Sequence, residues 1–231
     1  MIHSPFKFLD SYTKEDTAIF FGREQETEDL YRKIFENKTL LVYGVSGTGK
    51  TSIINCGLAN KFNDADWLPV TIRRNQNMVE SFYAALHKLS PDTKDKGKRD
   101  AKAFIKLLQS VYLDHFKPVY LLFDQFEELF IFGDEEEQKA FVDIIAQIKA
   151  SDVQVKILFI MREEYLANMS AFEEKIPDLL TNRLRIEKMS TAKVKEAITG
   201  PCNYAGIAIE NEAVEAIIEK LTRQGKTIEL T

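Results

Sequence analysis

The sequence predicts an α/β fold in which a parallel sheet is covered by helices on both faces. Short apolar strands alternate along the chain with amphipathic helices, an order that is typical of parallel sheets joined by crossover helices. A glycine-rich turn joins the first strand to the next helix, and a later apolar strand ends in an aspartate. With 231 residues, the chain can form one large α/β domain and a small appendage.

The spacing of apolar residues places each element. A short run of apolar residues predicts a buried strand, and apolar residues three and four positions apart predict a helix with one buried face. The first helix is expected to carry Leu30, Ile34 and Phe35 on one side, and Gly200-Pro201 is expected to end the helix at 190–199. The predicted strands are 40–43, 67–73, 119–123, 155–161 and 183–188, and the other predicted helices are 52–60, 78–89, 101–115, 134–149 and 210–223.

Composition and charge exclude several classes of protein. The net charge of −5 gives no overall basic surface for nucleic acid, so a nucleic-acid partner is not expected. Two distant cysteines form neither a zinc pattern nor a disulfide framework, which favours a reducing compartment. No apolar run has the length of a signal peptide or a membrane span. We therefore expect a cytoplasmic protein with no membrane partner.

The segment 44–51 matches the phosphate-loop pattern G-x-x-x-x-G-K-[ST] and predicts that the chain binds a nucleoside triphosphate. Glycines let the backbone wrap an anion with its N–H groups pointing inward, at the positive end of a helix dipole. Lys50 reaches the β- and γ-phosphates, and the Thr51 hydroxyl can bind Mg²⁺. A glycine-rich turn can also exist for steric reasons alone. Here, however, the strand, the loop, the Lys-Thr pair and the helix follow one another in the order and spacing that the motif requires. The predicted phosphate-binding residues are Gly44, Val45, Ser46, Gly47, Thr48, Gly49, Lys50, Thr51 and Ser52.

The strand at 119–123 ends in Asp124, and two acids follow at Glu127 and Glu128. An aspartate at such a strand end beside a phosphate loop holds Mg²⁺, usually through water; otherwise it caps the next helix. Either glutamate could polarise the water that attacks the γ-phosphate. Both could instead form the acidic first turn of a helix, which the helix dipole favours. The residues leave these alternatives open, and we expect at least one of the two glutamates to be catalytic.

Arg162 follows the strand at 155–161 and is a third candidate catalytic residue. A cation at this strand end is well placed to sense the γ-phosphate. Alternatively, Arg162 is an exposed arginine that pairs with Glu163 or Glu164. The sequence does not decide between these two interpretations.

Five segments together resemble one class of P-loop ATPases. They are FFGRE (20–24), GVSGTGKT (44–51), LLFDQFEELF (121–130), ILFIMRE (157–163) and AITGPCNYAGI (197–207). The chain resembles the STAND class, signal-transduction ATPases with numerous domains, and within it the bacterial novel STAND subgroup, relatives of AAA+ and NACHT ATPases. This resemblance implies a P-loop NTPase fold of three layers, with five parallel strands in the order 5-1-4-3-2 and the start of a small helical lid.

The resemblance also implies roles for individual residues. Gly22 and Arg23 would line the adenine end of the nucleotide, and Asp124 would be the Mg²⁺ aspartate. Arg162 would take the place of the polar sensor residue on the fourth strand. Pro201, in the Gly-Pro pair, would open the lid over the base. The class further implies ATP and Mg²⁺ as cofactors, a nucleotide-binding domain at 1–189 and a lid at 190–231.

The sequence departs from the pattern of the class in two places. Gln125 stands where many AAA+ enzymes have a glutamate base, so the role passes to Glu127 or Glu128, as in the D-x-x-[DE]-E arrangement of NACHT relatives. The winged helix and sensor repeats that usually follow the lid are not present. We therefore expect residues 1–231 to be part of a longer protein that carries effector or sensor domains.

The leading functional hypothesis is a slowly hydrolysing Mg-ATP switch in a multidomain bacterial signalling or defence ATPase, which could form a homo-oligomer at full length. A second hypothesis is a nucleotide-gated oligomerisation scaffold with little hydrolysis. A third is an AAA+ ATPase that acts on nucleic acid, which the acidic balance opposes but Arg73-Arg74 and the basic stretch 94–99 keep open. The choice of ATP over GTP rests on the resemblance, since no N-K-x-D guanine motif is present.

Overall fold

The structure, a computed structural model, describes residues 4–8, 10–94, 96–177 and 179–223. Three short 3₁₀ helices at Lys14–Ile19, Asp64–Asp66 and Glu163–Met169 connect the main elements. The strands in this part of the chain are β1 (Thr39–Gly44), β2 (Leu68–Ile72), β3 (Val119–Phe123), β4 (Val155–Arg162) and β5 (Arg183–Arg185). Its helices are α1 (Glu24–Glu36), α2 (which starts with Lys50–Ser52), α3 (Met78–Leu89), α4 (Ala101–His115), α5 (Glu128–Phe132), α6 (Glu135–Ala150), α7 (Ser170–Glu173), α8 (Thr191–Tyr204) and α9 (Asn211–Arg223).

The five strands form one parallel sheet in the order β2-β3-β4-β1-β5, which is the predicted order read from the opposite edge. The register places Ile72 of β2 beside Phe123 of β3, and Phe123 beside Phe159 of β4. The residues that directly follow β2 and β3 are therefore neighbours at the carboxyl edge of the sheet. The predicted fold class is confirmed.

The chain folds into two compact units. The sheet unit comprises Arg32–Tyr43 and Phe62–Leu184, and the loop unit lies within Met1–Tyr31, Gly44–Lys61 and Arg185–Thr231. This division differs from the predicted domains at 1–189 and 190–231, which stay a prediction.

Aromatic side chains fill the core of the sheet unit around Phe123. Its ring contacts Phe82, Phe141 and Phe159 with centroids 5.0 to 5.6 Å apart, in edge and stacked arrangements that favour aromatic pairs. The helices α3, α4 and α6 contribute apolar faces to this core. This packing buries every residue of β3. The end of the strand is therefore held in place, and with it the backbone from which Asp124 follows.

A smaller apolar cluster joins α8 and α9 in the loop unit. Met189, Val194, Val214 and Ile218 are buried in it. This cluster fixes the first turn of α8, which is important for the contacts of the phosphate loop described below.

The helix α2 has a less regular backbone than the predicted helix at 52–60. After Lys50–Ser52 it forms π-helical turns over Ile53–Leu58 and a 3₁₀ turn over Ala59–Lys61. At Gly57 a Cβ atom would lie 2.3 Å from Oγ1 of Thr27, so only glycine fits against α1. The prediction of a helix is confirmed, and its π-helical part was not predicted.

The expectation that Gly200-Pro201 ends a helix is wrong, since α8 continues to Tyr204. Proline has no N–H, so Pro201 removes the one helical hydrogen bond to the carbonyl of residue 197, and its ring is buried. Gly200 lies so close to Phe21 that a Cβ would be 2.5 Å from its ring. The glycine is therefore required for close packing rather than for a break.

Phe35 of α1 is also placed differently from the expectation. Leu30 and Ile34 are buried as predicted, whereas Phe35 is 52% exposed; its ring contacts Phe62, and the Lys156 ammonium lies over it. No described helix is long and apolar enough to cross a bilayer. The cytoplasmic location stays a prediction.

Candidate functional site

The phosphate loop follows β1 directly, and its backbone is shaped by three glycines. Gly44 faces the carbonyl oxygen of Ile186, to which a Cβ at this position would come within 2.3 Å. Gly47 and Gly49 have φ of 75° and 81°, in the left-handed region that glycine adopts without strain. Alternation of left- and right-handed residues turns successive backbone N–H groups to one side and forms a concave anion-binding nest. The loop therefore has the backbone features that the sequence pattern predicts.

Lys50 begins α2 and is held by the loop itself. Its ammonium donates hydrogen bonds to the carbonyl oxygens of Gly44 and Val45, each at 2.9 Å. The hydroxyl of Thr48 donates to the same Val45 carbonyl at 3.0 Å. A lysine ammonium has three donors and no acceptor, so a phosphate oxygen can compete with these carbonyls for it.

The other predicted loop residues have distinct surroundings. Ser46 lies on the exposed crest of the loop, and Thr51 is half-buried in the first turn of α2. The Ser52 hydroxyl oxygen accepts a hydrogen bond from the backbone N–H of Tyr12 at 3.1 Å. Ser52 thus anchors the N-terminal segment in the structure. Its predicted contact with phosphate stays a prediction.

Arg23 lies behind the phosphate loop and is one of the most buried side chains, with 2% exposure. Its guanidinium donates to the carbonyl of Thr48 at 2.7 Å, to the carbonyl of Glu187 at 2.9 Å and to the Glu26 carboxylate at 2.9 Å. Burial lowers the pKa of Arg23, and the Glu26 charge opposes this effect. Its neighbour Gly22 has φ of 79° and leaves no room for a side chain, because a Cβ would be 2.7 Å from the Lys193 carbonyl oxygen.

No local sequence pattern indicates the contact between Arg23 and the loop, because the two segments are 25 residues apart. The predicted position of Gly22 and Arg23 at the adenine end stays a prediction, as does the role of Pro201 in a lid. The loop unit brings Gly22 and Arg23 together with the phosphate loop.

A second group of predicted site residues lies in the sheet unit, at the carboxyl ends of β3 and β4. Asp124 follows β3, and its backbone N–H donates to the carbonyl of Ile72 at 2.9 Å, which continues the pairing with β2. Its buried carboxylate accepts two hydrogen bonds from Arg73, at 2.7 Å from Nη2 and 3.1 Å from Nε. The Arg73 side chain is 51% exposed.

Arg73 was not predicted as a partner of Asp124. The signal was present in the pattern of the strands, because both residues directly follow paired strands of the same sheet. Arg74, which the sequence analysis considered as part of a basic patch, is buried instead. It pairs with both carboxylate oxygens of Glu137, at 3.0 and 2.7 Å, and Glu137 also accepts the backbone N–H of Met78.

The chain turns sharply after Asp124. Gln125 has a φ of 55°, which is uncommon for a residue with a side chain, and Phe126 then inserts into the aromatic core. The backbone N–H of Phe126 donates to the carbonyl of Ile160 at 2.9 Å. This turn carries Glu127 to the end of β4.

Glu127 is buried and is held by Arg162. One carboxylate oxygen lies 3.1 Å from Nε of Arg162, and the other accepts the backbone N–H of Arg162 at 3.2 Å. The Arg162 side chain is 49% exposed. Glu128 is the half-buried first residue of α5. The structure thus brings Asp124, Glu127 and Arg162 together at the sheet edge, and gives Glu127 a more defined position than Glu128.

The fold is similar to that of solved structures whose descriptions name an ATPase or a bound nucleotide. A Walker-type ATPase from Pyrococcus abyssi superimposes with a TM-score of 0.64 at 13% identity, over 93% of this chain and 66% of that one. The ORC2 protein of Aeropyrum pernix, in complexes with ADPNP and ADP, gives 0.59 at 13% identity, over 79% and 52%. AMPPCP-bound DnaA from Aquifex aeolicus gives 0.56 at 16% identity, over 92% and 62%.

At these identities the likeness shows the fold. The chain spans between half and two thirds of the length of these solved proteins. No curated protein matched the sequence. The sequence model of the family described as Novel STAND NTPase 1 matches residues 5–230, nearly the whole chain. The phosphate loop and the acidic turn after β3 lie within this match, and the chain belongs to the Novel STAND NTPase 1 family.

Proposed function

We propose that this chain binds Mg-ATP at its phosphate loop and hydrolyses it slowly, as the nucleotide switch of a larger signalling or defence ATPase. The observation that carries the proposal is the loop backbone, in which left-handed Gly47 and Gly49 precede Lys50 at the start of α2. Such a loop presents backbone N–H groups and the helix dipole to an anion. Membership of the Novel STAND NTPase 1 family supports the same interpretation.

Binding of a triphosphate would exchange the partners of Lys50. Its ammonium would leave the carbonyls of Gly44 and Val45 and donate to the β- and γ-phosphate oxygens. The ammonium donates to neutral carbonyls now and would donate to a negatively charged phosphate, so the attraction between opposite charges favours the exchange. The loop amides would contribute further hydrogen bonds.

The Thr51 hydroxyl and the Asp124 carboxylate fit Mg²⁺, because this ion prefers hard oxygen ligands. Mg²⁺ would neutralise charge on the phosphate oxygens as the bond to the γ-phosphorus breaks. A separate observation supports each residue: Thr51 follows the lysine of the phosphate loop, and Asp124 follows β3. Arg73 would have to release Asp124, and its half-exposed side chain can turn into water.

Hydrolysis needs a group that orients water and accepts its proton. Water oxygen attacks the γ-phosphorus, the bond to the β–γ bridging oxygen breaks, and ADP leaves with that electron pair. We assign the accepting role to Glu127, with Glu128 as the alternative. Arg162 would orient Glu127 and stabilise negative charge on the γ-phosphate.

A second candidate is a nucleotide-gated oligomerisation scaffold with little hydrolysis. The observation that favours it is the engagement of both Glu127 oxygens by Arg162, which occupies the carboxylate and restrains its movement. The third candidate is an ATPase that acts on nucleic acid, and the basic pair Arg73-Arg74 was one reason to consider it. Arg74 is buried against Glu137, so only Arg73 of this pair could contact nucleic acid.

We expect residues 1–231 to be mainly monomeric when dilute and to hydrolyse ATP at well below about 1 s⁻¹. Phosphoryl transfer often needs an arginine from a neighbouring subunit, which contributes about 10³–10⁵ in rate. Titration with a labelled ATP analogue, a phosphate-release assay and light scattering test the proposal together.

Lys50→Ala should remove most triphosphate affinity and keep the fold. Unchanged affinity would refute phosphate binding by the loop, and a stable ring with fast turnover would indicate a self-sufficient motor.

A further inference from the structure

We propose that Arg23 is a positioning residue that fixes the phosphate loop in its phosphate-binding shape, and that Glu26 and Lys193 link it to α8. This inference rests on the proposed function, since it concerns how the same loop is held. It differs from the role that the resemblance implies, which is contact with adenine.

The contact between Arg23 and the loop is made at one peptide group. Nη2 of Arg23 donates to the carbonyl oxygen of Thr48 at 2.7 Å. In a planar trans peptide the C=O of one residue points opposite to the N–H of the next. Fixing the Thr48 carbonyl toward Arg23 therefore directs the N–H of Gly49 to the other side of the loop.

The flanking residues explain why such a restraint is needed. Gly47 and Gly49 precede and follow Thr48, and glycine adopts left- and right-handed conformations with little difference in energy. The peptide group between Thr48 and Gly49 rotates through ψ of Thr48 and φ of Gly49, and the freedom of the glycine makes this rotation cheap. Rotation would replace the Gly49 N–H by the Thr48 carbonyl oxygen, which repels phosphate. A guanidinium with 2% exposure, fixed by two further acceptors, opposes this rotation.

A chain of charged contacts leads from Arg23 to the helix α8. One oxygen of Glu26 accepts from Arg23 at 2.9 Å, and the other accepts from the Lys193 ammonium at 2.7 Å. Gly22 packs directly on the backbone of Lys193, as the 2.7 Å distance from a Cβ to its carbonyl oxygen demonstrates. A movement of the first turn of α8 would thus be transmitted through Glu26 and Arg23 to the loop.

The competing roles of Arg23 predict different ligand profiles. A positioning residue acts on the phosphates, so its loss weakens every ligand that carries a triphosphate. A residue that recognises adenine affects ATP and leaves GTP and inorganic tripolyphosphate unchanged. A purely structural residue lowers the melting temperature without changing affinity in the folded protein.

The experiment measures competition of ATP, GTP and tripolyphosphate against a labelled ATP analogue, for the wild type, Arg23→Lys and Arg23→Met. We expect Arg23→Met to weaken all three ligands by a similar factor of about tenfold or more, the typical effect of losing a hydrogen bond from a charged group. Arg23→Lys should restore affinity only in part, because one ammonium cannot reach all three acceptors. A selective loss of ATP, or unchanged affinities in a folded variant, would overturn the proposal.

Lys193→Met provides a second test that does not depend on a buried substitution, because Lys193 is partly exposed. It should weaken the three ligands by about twofold to fivefold and have no additional effect in the Arg23→Met background, as expected for residues in one network. Additive effects or an unchanged affinity would refute the link to α8. If the wild type binds none of the ligands, the proposed function fails and this inference with it; wild-type binding with unaffected variants refutes the inference alone.

Discussion

Arg23 in the loop unit and Arg73 in the sheet unit each hold a predicted site residue, but in opposite surroundings. Arg23 is buried and donates to a neutral backbone carbonyl, whereas Arg73 is 51% exposed and donates to the charged carboxylate of Asp124. A buried donor that loses its acceptor remains unsatisfied, so its contact is expensive to break. The Arg73–Asp124 pair has one half-exposed partner, so water can solvate the guanidinium when it leaves and a cation can take its place on the carboxylate.

The two groups of candidate residues, one in each unit, are therefore held in different ways. Arg23 restrains the phosphate loop in the absence of a ligand, and we expect this contact to remain when a ligand binds. The carboxylates of Asp124 and Glu127 have arginine partners with half-exposed side chains, Arg73 and Arg162, which can be exchanged. We expect substitutions at the restraint to affect binding, and substitutions at the exchangeable pairs to affect metal affinity and turnover.

The largest effect is expected at Glu127. Glu127→Gln should keep ATP affinity and slow hydrolysis by about 10²–10⁴-fold, because the group that accepts the proton of water is lost. Long incubations with a phosphate-release assay measure the rate. Glu128→Gln is the matched control and should change it by less than tenfold. A larger effect of Glu128→Gln would assign the proton-accepting role to Glu128 instead. No effect of either variant would favour the oligomerisation scaffold over the hydrolysing switch.

Adjacent arginines permit a direct comparison of buried and exposed pairs. Arg74→Met should lower the free energy of unfolding by about 3–5 kcal/mol, because it leaves the buried Glu137 carboxylate without its charged partner. Arg73→Met, one residue earlier, should cost less, because the space that its half-exposed side chain leaves is open to water, which can solvate the Asp124 carboxylate. Urea unfolding measures both. Equal costs would show that exposure does not separate the two kinds of pair.

Arg73 should also influence metal binding. Arg73→Gln should raise the affinity for Mn²⁺ severalfold in the presence of ADP, because the metal no longer competes with a guanidinium for Asp124. Electron paramagnetic resonance of free Mn²⁺ provides a readout that does not depend on turnover. Asp124→Asn in the same assay should abolish the gain. Weaker Mn²⁺ binding in Arg73→Gln would mean that Arg73 assists the metal rather than competing with it.

The smallest effect concerns pH and Glu26. Burial opposes ionisation of Glu26, but the hydrogen bond from Lys193, its own backbone N–H and the Arg23 charge outweigh burial and lower its pKa below 4.5. The carboxylate therefore stabilises the fold above about pH 4.5, and this contribution is lost as the pH falls through the lowered pKa. Unfolding of Glu26→Gln should depend less on pH than that of the wild type below this value. Identical pH profiles would contradict the prediction.

The sequence predicted the elements of the sheet unit well because its hydrophobic periods are clear. The predicted bounds of α3, α4 and β3 are those observed, and each has a continuous apolar run or face. The order of the strands came from the resemblance, since periodicity does not determine which strands are neighbours. The prediction of a helix break at Pro201 was wrong, because the tendency of a Gly-Pro pair to end a helix was outweighed by burial and by packing of Gly200 on Phe21.

The candidate site was predicted as a set of residues rather than as a set of contacts. The loop, Asp124 and Glu127 are indicated by local motifs, whose spacing is fixed along the chain. The partners of these residues come from distant segments: Arg23 reaches the loop across 25 residues and Arg73 reaches Asp124 across 51. Only the register of β2 and β3 could have indicated the second pair, and no local pattern indicates the first.

A crystal structure with Mg²⁺ and a non-hydrolysable ATP analogue tests most directly whether the phosphate loop is the nucleotide site. We predict that the Lys50 ammonium leaves the carbonyls of Gly44 and Val45 for the β- and γ-phosphates, while the bond from Arg23 to the Thr48 carbonyl remains. A nucleotide bound elsewhere, with Lys50 still on the two loop carbonyls, would contradict the assignment of this loop as the triphosphate site.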